Sequence, residues 1–590
     1  VAIGDSALYS QTSWFGNTAV GTAAGKNNNF FGNSYFGYQA GYFNGSTDNC
    51  FFGYQAGYAA NVSWSYNSFY GSKSGFSLTT GGGNAFYGAE TGMYMTGGGS
   101  NCFFGSAAAH NRITGSSNVI IGSNAAQNDS LSNFNTFMGY QAAFNNKGSS
   151  NIAIGYNVAY NNTGNYNVAI GYDAVRSNTA DFNNGVGYHA LYSNTSGTFN
   201  TAMGASSLSS NTTGSRNIAI GYQASQTNTT GNRNITIGCT ANAFLNTAGS
   251  DNIAIGDSAS FRGGTNGSIA IGTNALKNNF SSNTIGIGYL SLYNNTVGTD
   301  NSAVGTYSLL SNSTGIRNTA FGSSAMQLTT TGNHNTAVGY ASLFVNSTGD
   351  QNTAVGEQAL YSCTNGWYNT AIGFGALYGT SSAQYNTAIG YGAGNSFDNG
   401  WNNVFVGANT DVNGAGYFNV IAMGQGTVVT GSSVARFGNA ATGSYGGWAA
   451  WTNLSDGRYK KNVKENVVGL DFIMKLRPIT YNMDATGVSK KLNENHGNEL
   501  SEQYKQALRD KEKITYTGFI AQEVEQAANE TGYDFSGVDK PKNENDLYGL
   551  RYAEFVVPLV KAMQEQQKTI EDLKSAVDEL KKKIIELEKK

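Results

Sequence analysis

The chain has 590 residues, of which 78 are glycine, 67 are Phe or Tyr, 3 are proline and 71 are charged. A charged share of 12%, about half the ordinary value, together with so many aromatics excludes a disordered chain. A net charge of −3 gives no electrostatic case for nucleic acid, no apolar run reaches the ~20 residues of a membrane span, and no G-X-Y period points to collagen. Length alone suggests about four ordinary domains.

The averages conceal a boundary. Residues 1–453 carry 11 Lys/Arg and 13 Asp/Glu, whereas residues 454–590 carry 23 and 24, together with all three prolines. Two unlike chains meet near residue 454.

The first is a repeat. NTAVG stands at 335–339 and 352–356, NTAIG at 369–373 and 386–390, and NIAIG at 151–155, 217–221 and 252–256. Aligning the last glycine, from Gly4 through Gly155 and Gly272 to Gly424, gives about 26 units spaced 16 to 18 residues apart. Period-2 Ala/Ile alternation before the glycine reads as a short strand, and the Asn/Thr/Gly clusters read as turns. Two short strands and two tight corners per unit predict a β-solenoid over 1–430, mainly β, with coils of about 17 residues. Stacked Asn at equivalent corners predicts hydrogen-bonded ladders. At ~4.8 Å per coil such a rod would be roughly 125 Å long. Its small Ala positions imply a thin core, which lateral association of several chains would complete. The NxAIGxxA grammar resembles the head repeats of trimeric autotransporter adhesins, which implies parallel β-rolls packed as trimers, although the period here is longer than in those heads.

Residues 431–453 form a transition, followed by a charged domain at 454–559. Its ordered blocks are Ser455-Asp456-Gly457-Arg458-Tyr459-Lys460-Lys461-Asn462-Val463, Gly469-Leu470-Asp471 with Leu476-Arg477-Pro478, Gly518-Phe519-Ile520-Ala521-Gln522-Glu523-Val524, and Tyr552 with Pro558-Leu559-Val560. They resemble the C-terminal intramolecular chaperone (peptidase S74 type) of phage tail spikes and fibres, over 451–590. The resemblance implies an α+β chaperone domain that assists trimeric folding and then cuts itself off. The scissile bond would be Leu454–Ser455, with Ser455 the nucleophile and Lys460 the general base, a single-turnover serine–lysine peptidase at most. A desolvated lysine can take a serine proton, and attack on the preceding carbonyl is intramolecular. The plainer reading makes Ser455 and Asp456 a turn and the basic cluster a solvated face. Residues near 487–513 form a lysine-rich insertion without an evident role.

Over 560–590, Met563, Ile570, Leu573, Val577, Leu580, Ile584 and Leu587 keep a/d spacing and predict a coiled coil. Ile and Val at a with Leu at d favours two strands; the chaperone resemblance favours three, and three is the expectation adopted.

Other chemistry is declined. Carboxylates in the repeat are too sparse for the pair a glycan-cleaving spike needs, and Asp251 and Asp257 read as solvated. His110, His189 and His334 stand in separate units, so no metal or cofactor is expected. The four cysteines are expected free and mostly buried. Aromatics are the expected binding surface: Trp64 among the first hundred residues, then Trp401, Tyr445, Trp448 and Trp451, suited to sugar rings. The tyrosines that follow repeat glycines, such as Tyr140, Tyr156 and Tyr172, form a ladder better explained by packing.

The reading is a homotrimeric tail-fibre-like protein on a virion or cell surface that binds a cell-surface receptor, expected to be a glycan, without membrane insertion. The alternatives are a bacterial surface adhesin retaining its chaperone and a glycan-degrading tail spike. The chain starts inside a unit at Val1, so a fragment or processed product is expected.

Overall fold

The computed structural model describes residues 1–12, 16–60, 65–242, 247–448, 451–495, 497 and 499–589. They divide into two compact units, Val1–Gln351 and Asn352–Lys590. Both contain parallel β-solenoid, about 25 turns in all with coils of about 17 residues.

In the first unit each coil contributes one short strand, and neighbours pair in parallel without slippage: Ile152, Ala153 and Ile154 lie beside Val168, Ala169 and Ile170. The middle residue faces the core and its two neighbours face outward. The second strand expected per coil is absent from the described coils of this unit. After the repeat glycine the backbone is left-handed at alternate residues, as at Gln141 (φ 52°) and Ala143 (φ 54°). Their N–H groups donate in opposite directions, Gln141 to Ser123 O of the coil before (3.1 Å) and Ala143 to Val158 O of the coil after (2.8 Å). Coil-to-coil bonding thus continues where strand dihedrals stop. These bonds help offset the ~1–2 kcal/mol that a left-handed L-residue costs. The repeat glycine itself is steric: Gly155 has φ 142°, and a Cβ there would lie 2.3 Å from Gly171 O.

The core conserves volume across each coil. Tyr35, Phe51, Phe69, Phe86 and Phe103 stack along the strand centres with centroids 4.6 to 5.8 Å apart. Four residues past the repeat glycine, the facing position is then Gly41, Gly57, Gly75 or Gly92. A Cβ on Gly75 would lie 2.6 Å from the Phe69 ring. In several coils whose strand centre is alanine the facing position is leucine: Ala202 with Leu208, Ala303 with Leu309 and Ala354 with Leu360, all buried.

Two asparagine columns run inside the coils. Four residues before the glycine, Asn101 and Asn118 donate Nδ2 to the preceding coil's Asn84 and Asn101 Oδ1 at 2.9 and 3.0 Å. Seven past it, Asn162, Asn178, Asn194 and Asn211 donate to the preceding Oδ1 at 3.0, 3.0, 2.6 and 2.7 Å. That second column begins at Asn146, whose Nδ2 reaches Asp129 at 3.4 Å. Arg112 Nη1 donates to Asp129 at 2.7 Å, and both side chains are fully buried. The carboxylate gives the column its terminal acceptor and the guanidinium neutralises it.

The second unit repeats the strand pattern from Thr353–Val355 to Ala435–Phe437. Its last coils add a second parallel pair, Asp411–Val412 with Val428–Val429. A small α/β region follows. Its helices are α1 (Leu470–Ile473), α2 (Ala485–Leu492), α3 (Glu502–Glu512), α4 (Ala521–Glu530) and α5 (Val556–Glu588). An antiparallel hairpin pairs Ile479–Asn482 with Thr515–Gly518. Phe472, Val524, Ala527, Phe535 and Phe555 form its core. Beyond Ala562 the a/d residues of α5 are all exposed within the single chain.

Two tests follow from the packing. Phe69→Ala should cost ~3–5 kcal/mol, and Gly75→Leu should also destabilise by overlap with the ring. The double variant should recover most of the loss, because Leu208 and Leu309 already hold φ of 47° and 48° at that position. Thermal unfolding of all three checks it. Arg112→Met, which leaves Asp129 buried and unpaired, should cost ~3–5 kcal/mol. Adding Asp129→Asn extends the asparagine column and should restore the denaturation midpoint.

Candidate active site

The serine and lysine singled out by the sequence meet through a tight turn. Asp456 caps the 3-10 turn Gly457–Tyr459, its carboxylate accepting from Arg458 N at 2.9 Å. Arg458 also grips the same carboxylate with Nε at 2.9 Å and Nη2 at 2.6 Å. Those hydrogen bonds hold the Asp456 carboxyl below its ordinary range. The turn brings Lys460 back so that Nζ donates to Ser455 Oγ at 2.8 Å. Ser455, Lys460 and Leu454 are all exposed. The pair is therefore assembled within a single chain, with both side chains open to solvent.

The other sequence blocks converge behind this turn. Glu565 of α5 accepts from Leu470 N at 2.7 Å, which caps α1. Gly469 is needed there, since a Cβ would lie 2.7 Å from Ala562 N and 2.5 Å from Glu565 Oε2. Arg477 donates to Glu523 through Nε at 3.1 Å and Nη2 at 2.5 Å. Tyr552 Oη accepts from Phe519 N at 3.1 Å, and Phe519 stacks on Phe555 at 5.4 Å. Glu565 lay outside every sequence block; its only signal was a carboxylate two residues past an a/d position.

The aromatic candidates divide. Trp401 stacks on Phe418 at 4.8 Å and stays exposed. Tyr445 Oη donates to Phe437 O, and the Trp451 ring lies 6.5 Å from the Phe437 ring. Trp448 and Trp451 project fully into solvent. Trp64 lies outside the described residues, as does His496. Tyr140, Tyr156, Tyr172 and Tyr188 stack at 5.0 to 5.5 Å, so their faces cover one another and only edges are open. A sugar ring needs a free face.

His110 pairs with Glu90 at 3.3 Å, His189 lies 3.6 Å from Asp173, and His334 lies 3.3 Å from Arg317. Among the described residues no group of three His, Cys, Asp or Glu is placed to hold a metal ion. Asp251 is bound by Arg233 at 2.6 Å, and Asp257 accepts from Cys239 N at 3.1 Å. The four cysteines are free, but the expectation that most are buried is corrected: Cys363 alone is buried, Cys50 is half-buried, and Cys102 and Cys239 are exposed. Cys50 and Cys102 hold an outward-facing strand position, whereas Cys363 replaces an inward asparagine, where burial pushes its thiol up to about 11.

Residues 455–533 match the Peptidase S74 family model, described as the chaperone of endosialidase. The match begins at the serine of the turn. No curated protein matches the chain. No helix among the described residues is long and apolar enough to cross a membrane.

Gly469→Ala should destabilise the C-terminal region by roughly 1–3 kcal/mol, because backbone of α5 blocks the added methyl. Near-ultraviolet circular dichroism on heating, with Gly446→Ala as the open-site control, measures the difference.

Proposed function

We propose, from an endosialidase-type chaperone domain set behind a β-solenoid, that this chain is the subunit of a homotrimeric tail-fibre-like protein that binds a cell surface. The observation that carries the reading is this pairing of a matched chaperone sequence with a solenoid whose outward sheet face is apolar. Ile218, Ile220, Met203 and Phe321 all stand exposed on that face. Parallel sheets are ordinarily covered on both sides, and two further copies of the chain would cover this one. The exposed seam of α5 supports association of the copies at the C-terminal end, and the chaperone resemblance makes the number three.

Assembly would also bury the serine turn. Lys460 as a neutral amine then accepts the Ser455 hydroxyl proton while Oγ bonds to the Leu454 carbonyl carbon. The Leu454–Ser455 C–N bond breaks, and the proton passes to the departing Ser455 amine. Water hydrolyses the resulting ester, freeing the Leu454 carboxylate and the serine hydroxyl. Each chain reacts once. Trp401, Tyr445, Trp448 and Trp451 would offer ring faces to surface glycans, on a virion or another extracellular surface.

Intact mass and light scattering test this together. Wild-type protein should be trimeric and split into 1–454 and 455–590. Ser455→Ala should stay whole, and Lys460→Ala should cut ~10²–10⁴-fold more slowly. A monomer overturns the assembly, and an uncut wild-type trimer overturns the peptidase role.

A further inference from the structure

We propose that the insertion at 487–513 and the segment 540–546 form a docking face whose partner is the end of the chain's own solenoid, so that the C-terminal domain stays seated as an end cap after the chain is cut. Among the described residues, hydrogen bonds link residues 417–442 to residues 494–546. Glu494, just past α2 and only 5% exposed, accepts from Ala440 N at 3.0 Å and from Tyr504 Oη of α3 at 2.7 Å. Lys511 Nζ donates to Thr442 O at 2.6 Å. Asn543 Nδ2 donates to Thr430 O at 2.7 Å and to Tyr417 Oη at 3.3 Å. Thr430 Oγ1 donates to Asp546, whose other oxygen accepts from Lys542 N at 3.1 Å.

Charge complementarity points the same way. Arg436 is the one lysine or arginine of the sequence between Arg317 and Arg458. It stands in Ala435–Phe437, the last strand of the sheet. Burial is the largest effect on its guanidinium and lowers its proton affinity, while the nearby carboxylates of Asp546 and Glu494, both from the C-terminal region, act in the opposite direction. Its Nη2 lies 3.5 Å from Thr430 Oγ1, which donates to Asp546. A solenoid with almost no charges has placed one where the domain supplies two carboxylates. The need is physical, since a terminal coil leaves an unpaired strand edge that has to be covered.

The Leu454–Ser455 bond lies in the stretch between these two sets of residues, and 451–466 is exposed apart from the half-covered Asp456. Cutting it severs none of the contacts. The inference uses the proposed function only in taking that bond as the natural cut, so the test supplies a cut of its own.

The full chain carrying Ser455→Ala would receive a site-specific protease sequence between Gly446 and Gly447. After complete cleavage, size exclusion followed by denaturing electrophoresis should find both fragments in one peak in equal amounts. Arg436→Met combined with Asp546→Ala should release the C-terminal fragment at least ~30-fold faster, with circular dichroism before cleavage matching the parent. Separation of the fragments in the parent overturns the cap. Undiminished retention in the double variant overturns the assigned contacts.

Discussion

Apart from short turn bonds such as Ala142 N to Gly139 O, a coil of the solenoid is too narrow to satisfy its own backbone, so most of its buried N–H and C=O groups find partners in the coil before or after it. That constraint sets the rest. It requires a glycine at the point where successive backbones approach most closely, as at Gly155 and Gly171. It tolerates left-handed residues such as Gln141 and Ala143 because their amides then reach opposite neighbours. It also admits asparagine to the interior, where side-chain amides such as those of Asn162 and Asn178 donate one coil back and accept from the coil after. A buried polar column holds where most of its members are satisfied in this way. The Arg112–Asp129 pair shows what is needed where such a column meets an apolar one.

The period, the strand before the glycine and the Asn ladders were legible in the sequence because they recur at fixed offsets. The one-strand coil was not. Nothing in Ala or Leu announces a left-handed conformation, which inter-coil bonding imposes against local preference. Orientation was partly lost as well: Cys102 was expected inside, yet a position beside an inward strand centre must face out. In the C-terminal region the Ser455–Lys460 turn was legible because all its parts lie within six residues. Glu494, Asn543 and Asp546 were not, since isolated polar residues in a charged insertion carry no periodicity and meet their partners only through the fold.

The compositional boundary near residue 454 now has a physical account. The solenoid satisfies itself by hydrogen bonds and thin apolar packing, and some of its few charges are paired between neighbouring coils, as Arg112 with Asp129 inside it and Arg233 with Asp251 on its surface. The C-terminal region is built instead around a small aromatic core with ion pairs at its surface, including Lys475–Glu530 and Arg477–Glu523. One part is specified by repetition and the other by unique long-range contacts.

Repetition carries a cost that explains why such a partner is useful. Nearly identical coils can pair out of register by a whole unit while preserving most hydrogen bonds, so the energy gap between correct and slipped stacks is small. Features that break the equivalence restore the gap. The Tyr35-to-Phe103 stack with its facing glycines cannot be exchanged for an Ala/Leu coil without overlap or a void. The fully buried Arg112–Asp129 pair fits one position in the stack. Towards the other end of the sequence, Thr430 donates to the carboxylate of Asp546, which belongs to no coil. A domain that folds on its own contacts and grips one particular terminal coil gives the coils stacked on it a defined starting register, which a chain of interchangeable units lacks.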